Sequence, residues 1–288
     1  MTPTYYKDGH LFFSIAPEKP DSILGDRLVI NPQNLGEVSK YVREKSIKSI
    51  TINPAYHAVN NLDFLDSFLS IEGIYILQDG LDLSPINKLK NLRALSFNES
   101  KTKVDLRNFP NLEVLGITFN KNIINLNKCA KLFWLWLDNF KKNNLEELQS
   151  LSNLKYLNLY KTAIIDFKGI CKLTNLISLK IDSASKLETL EDISSSNTQL
   201  KVIDIYGAKN LHNYTSLSNA KSIQKIFLRK TGETEDISFL NPLSELQEVI
   251  IGMKVIDGNM SRLKLIPKAG FLEFPHYNLK MNELSNPF

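Results

Sequence analysis

A short apolar unit of the form apolar-x-x-apolar-x-apolar recurs ten times along this 288-residue chain. Its apolar slots hold only leucine, isoleucine, valine or phenylalanine. The middle slots of the ten units are Ile50, Ile74, Leu95, Leu115, Leu135, Leu157, Leu179, Ile203, Ile226 and Val249. Consecutive middle slots lie 20 to 24 residues apart, and self-similarity at such a period is typical of solenoids. We therefore predict a column of stacked repeats, each packed mainly against its neighbours.

Each repeat contains a strand pattern followed by a turn pattern. Residues 157–159 read Leu-Asn-Leu, and this alternation predicts a short strand with leucine inward and asparagine outward. In the segment that returns to the next strand, apolar residues recur every third position, as at Ile164, Phe167 and Ile170. Such spacing favours short 3₁₀ turns over a full helix. The repeats therefore predict a parallel sheet joined by tight turns.

These repeats resemble those of leucine-rich-repeat proteins. Residues 81–97 and 237–246 are most similar to the 22-residue class of bacterial internalins, and the resemblance covers about residues 47–255. It implies an α/β solenoid, a right-handed arc with a parallel β-sheet on its concave face and short 3₁₀ or helical turns and loops on its convex face. In this family an asparagine usually follows each strand and ties successive turns together, and here only Asn120 fills that position. The resemblance therefore implies the fold without fixing its curvature.

The chain is predicted to have three segments. Residues 1–46 form an N-terminal cap with a hairpin that turns at Asp8-Gly9. Residues 47–255 form the array of about ten repeats. Residues 256–288 form a C-terminal cap, because the repeat pattern fades there among prolines and glycines.

Within the N-terminal cap, an amphipathic helix is expected to follow Asn34, with Glu37 three residues later completing a capping box. At the other end, Asn286-Pro287-Phe288 matches a short endocytic-adaptor motif. Three-residue matches are weak, so a frayed tail is the favoured interpretation.

Composition and charge argue against several classes of partner. The formal charge of +4 comes from 35 basic and 31 acidic residues spread along the chain, whereas a nucleic-acid binder gathers its basic residues on one face. No stretch approaches 18 apolar residues, and residues 1–10 lack the pattern of a secretory signal. We therefore expect a monomeric, cytoplasmic protein without a nucleic-acid or membrane partner. A trimmed signal or non-classical export would leave the same sequence.

No recognisable pattern of catalytic or metal-binding residues is present. The four histidines have no His-x-x-x-His spacing, and nucleotide-binding glycine motifs and Gly-x-Ser-x-Gly are absent. Cys129 falls where other repeats place leucine or phenylalanine, so we expect it in the core. Cys171 lies two repeats further on, beyond the reach of a disulfide with Cys129. We predict no enzyme, no cofactor and no metal site.

The repeat register predicts three outward columns of side chains that are exposed on all ten strands. Both tryptophans, Trp134 and Trp136, fall on one strand, and Tyr156 and Tyr160 fall on the next. Aromatic residues with a polar rim are typical of binding hot spots. The predicted partner-binding residues are Trp134, Trp136, Asp138, Tyr156, Asn158, Tyr160, Lys180, Asp182, Asp204, Tyr206, Lys225, Phe227 and Arg229. Alternatively, the tryptophans pack beneath a loop of the same protein.

The function that follows is a non-enzymatic interaction module that binds an unidentified partner protein through its concave sheet. A bacterial inhibitor, immunity protein or adaptor would present this sequence. The resemblance to internalins leaves open a secreted adhesin or a host-directed effector. A carbohydrate-binding module is a further alternative, because exposed tryptophan and tyrosine pairs stack on sugar rings.

Overall fold

The structure, a computed structural model, describes residues 4–17, 19 and 22–288. The chain divides into two compact units, Met1–Leu137 and Asp138–Phe288, which are taken in turn below. The three segments predicted from the sequence stay a prediction.

The first unit contains a mostly parallel sheet. Its strands are β1 (Thr4–Lys7), β2 (His10–Phe13), β3 (Arg27–Val29), β4 (Ser49–Ile52), β5 (Gly73–Ile76), β6 (Ala94–Phe97), β7 (Val104–Asp105), β8 (Val114–Thr118) and β9 (Ile123–Ile124). The predicted hairpin of β1 and β2 is confirmed, and β2 pairs antiparallel with β3. Parallel pairing then runs from β3 through β4, β5 and β6 to β8, while β7 and β9 form a separate pair.

Strand β10 (Trp134–Asp138) begins in the first unit and ends in the second. The second unit continues with β11 (Tyr156–Tyr160), β12 (Ser178–Asp182), β13 (Val202–Tyr206), β14 (Lys225–Arg229), β15 (Glu248–Gly252) and β16 (Lys268–Phe271). These six strands pair in parallel, in chain order. All ten strands predicted from the repeat are therefore present, and parallel strands β3 and β16 flank them in the chain.

Short 3₁₀ helices occupy most returning segments, which confirms the prediction from three-residue spacing. They span Pro32–Asn34, Asp63–Ser67, Ser84–Lys88, Leu106–Asn108, Leu126–Lys128, Glu146–Leu148, Ile170–Lys172, Thr215–Asn219, Ser238–Leu240, Ser261–Leu265 and Met281–Glu283. A helix α1 (Leu35–Glu44) lies where the sequence predicted it. The predicted cap is wrong, because the Asn34 side chain makes no capping hydrogen bond. Helical geometry begins earlier at Pro32, and Asn31 accepts a bond from the Gln33 amide at 3.0 Å.

The core of each unit is a stack of the predicted apolar slots. All of these slots are buried except the first, Ile47, which is half-buried. Parallel register places equivalent slots opposite each other, as with Leu157 and Leu179. Burial of each such side chain contributes about 1.5–3 kcal/mol. Cys129 is also buried, as predicted, and this burial raises the pKa of its thiol to about 12.

In the second unit, the chain turns away from each of several strands through a residue in the left-handed conformation. The residue two positions past the third apolar slot has positive φ at Asn139 (63°), Lys161 (49°), Ser183 (61°), Gly207 (73°) and Lys230 (53°). Four of these residues donate their amide to the last residue of the next strand, as Asn139 does to the Tyr160 carbonyl at 2.8 Å. A left-handed conformation costs a non-glycine residue about 1–2 kcal/mol. Backbone hydrogen bonds therefore link successive repeats where the family resemblance implied asparagine side chains.

The asparagine position itself is filled in several ways, and at one of them the Thr162 hydroxyl donates to the Phe140 carbonyl at 3.0 Å. Asn120 donates through its side chain to the Ser100 carbonyl at 3.1 Å, which is the bridging role that the resemblance implied. In the second unit Phe140, Ala184 and Ala208 occupy this position and are fully buried. Apolar packing therefore replaces the polar bridge in those repeats.

Candidate partner-binding faces

The strands of the first unit present a face that the protein itself partly fills. The outward residues Ser49, Thr51, Gly73, Tyr75, Ala94, Val114 and Gly116 are buried there. Ile23 and Leu24, from the segment between β2 and β3, pack against a cluster of Tyr75, Ala94 and Val114. The prediction that the outward columns are exposed on all ten strands is wrong for this unit. The repeat register determines on which face of the sheet a side chain lies. It does not show whether another segment of the chain packs on that face.

Close packing fixes this N-terminal segment, which we call the strap (residues 22–26), in its place. A Cβ added to Gly73 would lie 2.5 Å from Leu24 Cδ1, so the strap approaches the sheet as closely as glycine allows. Next to the strap, the Arg27 guanidinium lies 3.3 Å from the centroid of the Tyr75 ring, a cation–π contact.

The two tryptophans differ in their surroundings. Trp134 is half-buried and packs against the cluster of Tyr75, Ala94 and Val114. Its Cζ3 atom would lie 3.5 Å from a Cβ added to Gly116. Trp136, two residues later on the same strand, is half-buried as well. The alternative that the tryptophans pack within the protein therefore holds in part for Trp134.

In the second unit the outward columns of β11 to β15 remain accessible to solvent, and we call this surface the open face. Only Ser178 among its members is buried. Register brings the predicted residues together there: Tyr156, Asn158, Tyr160, Lys180, Asp182, Asp204, Tyr206, Lys225, Phe227 and Arg229. Asp138 lies at the end of β10, and its side chain is half-buried. The predicted exposure of the outward columns is therefore confirmed for these strands except at Ser178, and their role in partner binding stays a prediction.

Two ion pairs lie across the open face. Arg229 Nη2 is 2.5 Å from Asp204 Oδ1, and Lys225 Nζ is 2.5 Å from Glu248 Oε1. The Arg229 guanidinium also lies 5.9 Å from the centroid of the Tyr206 ring. These contacts hold Arg229 in one orientation between strands β13 and β14.

Two lysines that the sequence analysis did not select lie at the edge of the open face. Lys161 Nζ is 4.9 Å from the centroid of the Tyr160 ring. Lys230 Nζ is 4.9 Å from the centroid of the Tyr206 ring, and a hydrogen bond with the Tyr206 hydroxyl raises the pKa of Lys230. Both lysines occupy left-handed turn positions. Lysine has no local preference for that conformation, so no sequence signal marks these two side chains.

The end of the chain packs beside the open face. The Phe288 amide donates to the Ala269 carbonyl at 3.2 Å. The centroids of the Phe288 and Phe227 rings lie 5.9 Å apart, and the rings meet edge to face. A Cβ added to Gly270 would lie 3.2 Å from the Phe288 Cβ. The predicted frayed tail is therefore wrong, because residues 286–288 pair with strand β16.

The described residues provide no support for two other kinds of site. No group of three or more histidine, cysteine, aspartate or glutamate side chains in that part of the chain is placed to hold a metal ion. Across residues 4–17, 19 and 22–288, none of the helices has the length and apolar character that crossing a bilayer requires.

Comparison with known proteins relates this chain to others by fold. No family model matches the sequence, and no curated protein matches it. Among solved structures, an internalin (inlF) of Listeria monocytogenes is 16% identical, with a TM-score of 0.57 over 84% of this chain and 80% of that one. A leucine-rich-repeat protein of Leptospira interrogans is also 16% identical, with a TM-score of 0.49 over 94% of this chain and 80% of that one. The first likeness identifies the fold.

Proposed function

We propose, on the premise that this chain folds as a leucine-rich-repeat solenoid, that it is a non-enzymatic module that binds a partner protein. The binding surface is the open face of the second unit. Trp134 and Trp136 of the first unit stay predicted contact residues.

The observation that carries the proposal is the exposure of aromatic side chains on a packed sheet. Tyr156, Tyr160, Tyr206 and Phe227 are only half-buried, whereas the apolar slots of the same strands are buried. Parallel strands fix the spacing of these rings, so little conformational entropy is lost when a partner orders them. Rigid aromatic residues among charged ones are the composition of a protein-binding hot spot.

The mechanism that suits such a surface is steric: the module occupies a region of its partner and blocks other contacts there. A cytoplasmic bacterial inhibitor, immunity protein or adaptor would work in this way. A secreted adhesin or host-directed effector would use the same face on a different target.

The test is affinity capture with two matched double variants. Tyr156→Ala/Tyr160→Ala removes two rings from the open face, whereas Tyr6→Ala/Tyr56→Ala removes two exposed rings outside it. We expect the first variant to lose the proteins that the parent captures and the second to retain them, as identified by mass spectrometry. Circular dichroism checks that both variants fold.

Two outcomes would contradict the proposal. Unchanged capture by folded Tyr156→Ala/Tyr160→Ala would show that the open face is not the binding surface. Glycan-array binding without protein capture would indicate a carbohydrate-binding module instead. Trp134→Ala/Trp136→Ala, compared in the same assay, reports whether the tryptophans contribute.

A further inference from the structure

The charges on the open face and its strand ends do not cancel. Arg229 pairs with Asp204, and Lys225 pairs with Glu248. Among the described residues of this face and its strand ends, three lysines have no ion pair: Lys161, Lys180 and Lys230. The one carboxylate of this face without an ion pair among the described residues is Asp182, which accepts a hydrogen bond from Ser183 Oγ at 2.7 Å. The surface therefore presents an excess of ammonium groups.

The conformation of two of these lysines indicates a role beyond the fold. Among the left-handed turn positions of the second unit, Asn139 and Gly207 are residue types that tolerate positive φ. Lys161, Ser183 and Lys230 are not, yet they hold φ of 49°, 61° and 53°, and the Ser183 hydroxyl donates to the Asp182 carboxylate. Glycine would relieve this strain, and at position 161 it would keep the hydrogen bond from the amide to the Asp182 carbonyl. Strained residues that persist beside a binding surface favour a functional reason for the side chain.

Two of these ammonium groups lie over tyrosine rings of the open face. The Lys161 side chain lies over Tyr160, and the Lys230 side chain lies over Tyr206. Lys180 is exposed on β12, between strands β11 and β13 that carry the two tyrosines. Two of the three ammonium groups are therefore next to a tyrosine ring, and the third lies on the strand between those two tyrosines. This arrangement suits a ligand that alternates carboxylates with apolar or aromatic groups.

We infer that the partner presents an acidic polypeptide segment to the open face, with its carboxylates at Lys161, Lys180 and Lys230. This inference rests on the proposed function and specifies the chemistry of the partner. Asp182 lies among the lysines without an ion pair in the part of the chain that the structure describes, and it repels an evenly charged polyanion such as a nucleic acid or a sulfated glycan there. A polypeptide can place neutral or basic residues opposite it.

The test uses a fluorescein-labelled random copolymer of glutamate and tyrosine, with binding followed by fluorescence anisotropy. One triple variant, Lys161→Gln/Lys180→Gln/Lys230→Gln, removes the charges of the open face. A matched triple variant, Lys155→Gln/Lys201→Gln/Lys221→Gln, removes three exposed lysines elsewhere in the same unit. We expect the Kd to rise about tenfold in the first variant only. Added salt should weaken binding to the parent.

A second comparison separates side-chain charge from backbone strain. Lys161→Gly/Lys230→Gly keeps or improves resistance to urea, because strain is released, and it should nevertheless weaken copolymer binding. A merely structural role for the lysines predicts no such loss of binding.

Several results would overturn the inference. The first is that the copolymer does not bind the parent, and the second is that the two triple variants have equal Kd values. The third is that a lysine–tyrosine copolymer binds the parent more tightly than the glutamate–tyrosine copolymer does. Tighter, variant-sensitive binding of heparin would assign the face to an anionic glycan. The tyrosine variants in the capture assay report on protein binding independently, so the acidic inference can fail while the proposed function stands.

Discussion

Arg229 on β14 reaches across to Asp204 on β13, with 2.5 Å between Nη2 and Oδ1. Their side chains remain 43% and 20% exposed, and exposed ion pairs of this kind contribute only about 0–1 kcal/mol to stability. The guanidinium is oriented by the pair as well as by the neighbouring Tyr206 ring. The pair therefore arranges the open face more than it stabilises the fold.

Asp204→Asn should lower the free energy of unfolding by less than about 1 kcal/mol. Partner capture should fall more clearly, because Arg229 loses its fixed orientation. Urea unfolding measures the first quantity, and affinity capture measures the second. Glu146→Gln, which breaks the exposed ion pair with Lys168 outside the open face, serves as the control. A loss of stability of about 3 kcal/mol, as for a buried pair, would contradict this account.

The left-handed turns predict stability changes of opposite sign at two equivalent positions. Lys161→Gly should raise the free energy of unfolding by up to about 1 kcal/mol, since relief of strain exceeds the added chain entropy. Gly207→Ala, at φ 73°, should lower it by about 1–2 kcal/mol. Urea denaturation of both variants checks this. Changes in the same direction would show that the turn geometry does not control stability.

The contact between the strap and Gly73 predicts an energetic coupling. Gly73→Ala brings a Cβ to within 2.5 Å of Leu24 Cδ1 and should destabilise the parent. Leu24→Ala removes that atom, so the double variant should lose at least about 0.5 kcal/mol less than the sum of the single losses. A double-mutant cycle in urea measures the coupling. Leu69→Ala, at an exposed leucine, is the control for loss of apolar surface. Strict additivity would mean that the strap does not pack on Gly73.

Glu72 predicts part of the acid sensitivity of the fold. Its hydrogen bond with Lys48, aided by Arg93, lowers its pKa in the folded protein despite partial burial. A lowered folded pKa means that the stabilisation is present above the unfolded pKa of about 4.3 and is lost as the pH falls through the folded value. Glu72→Gln should therefore destabilise the protein at pH 7 and lose less stability on acidification. Urea midpoints at pH 7 and pH 3 test this, with exposed Glu245→Gln as the control. An equal loss in parent and variant would exclude the role of Glu72.

The sequence predicted the ten strands because their apolar slots lie close in the chain and repeat. It missed β3 and β16, although both carry the same pattern with small residues in it. Gly25 precedes Leu28 and Ile30 at the repeat spacing, and Ala269 stands in the middle slot before Phe271. A search that accepted glycine and alanine would have found both strands.

The candidate site was predictable only as far as strand register determines it. Register placed Tyr156 and Tyr160 correctly on an accessible face. It could not place the strap, because Ile23 and Leu24 belong to no repeat and meet the cluster around Tyr75 through long-range packing. It could not identify Lys161 or Lys230 either, since their positions depend on an unfavourable backbone conformation.

The left-handed turns of the second unit connect neighbouring repeats through backbone amides and carbonyls, as between Lys161 and Asp182 at 2.9 Å. The connection is therefore independent of the side chains at these positions. At the positions that are not glycine, those side chains can be exchanged one by one while these backbone hydrogen bonds remain. The edge formed by positions 139, 161 and 183 is thus a natural place to build a combinatorial library for new binding specificities.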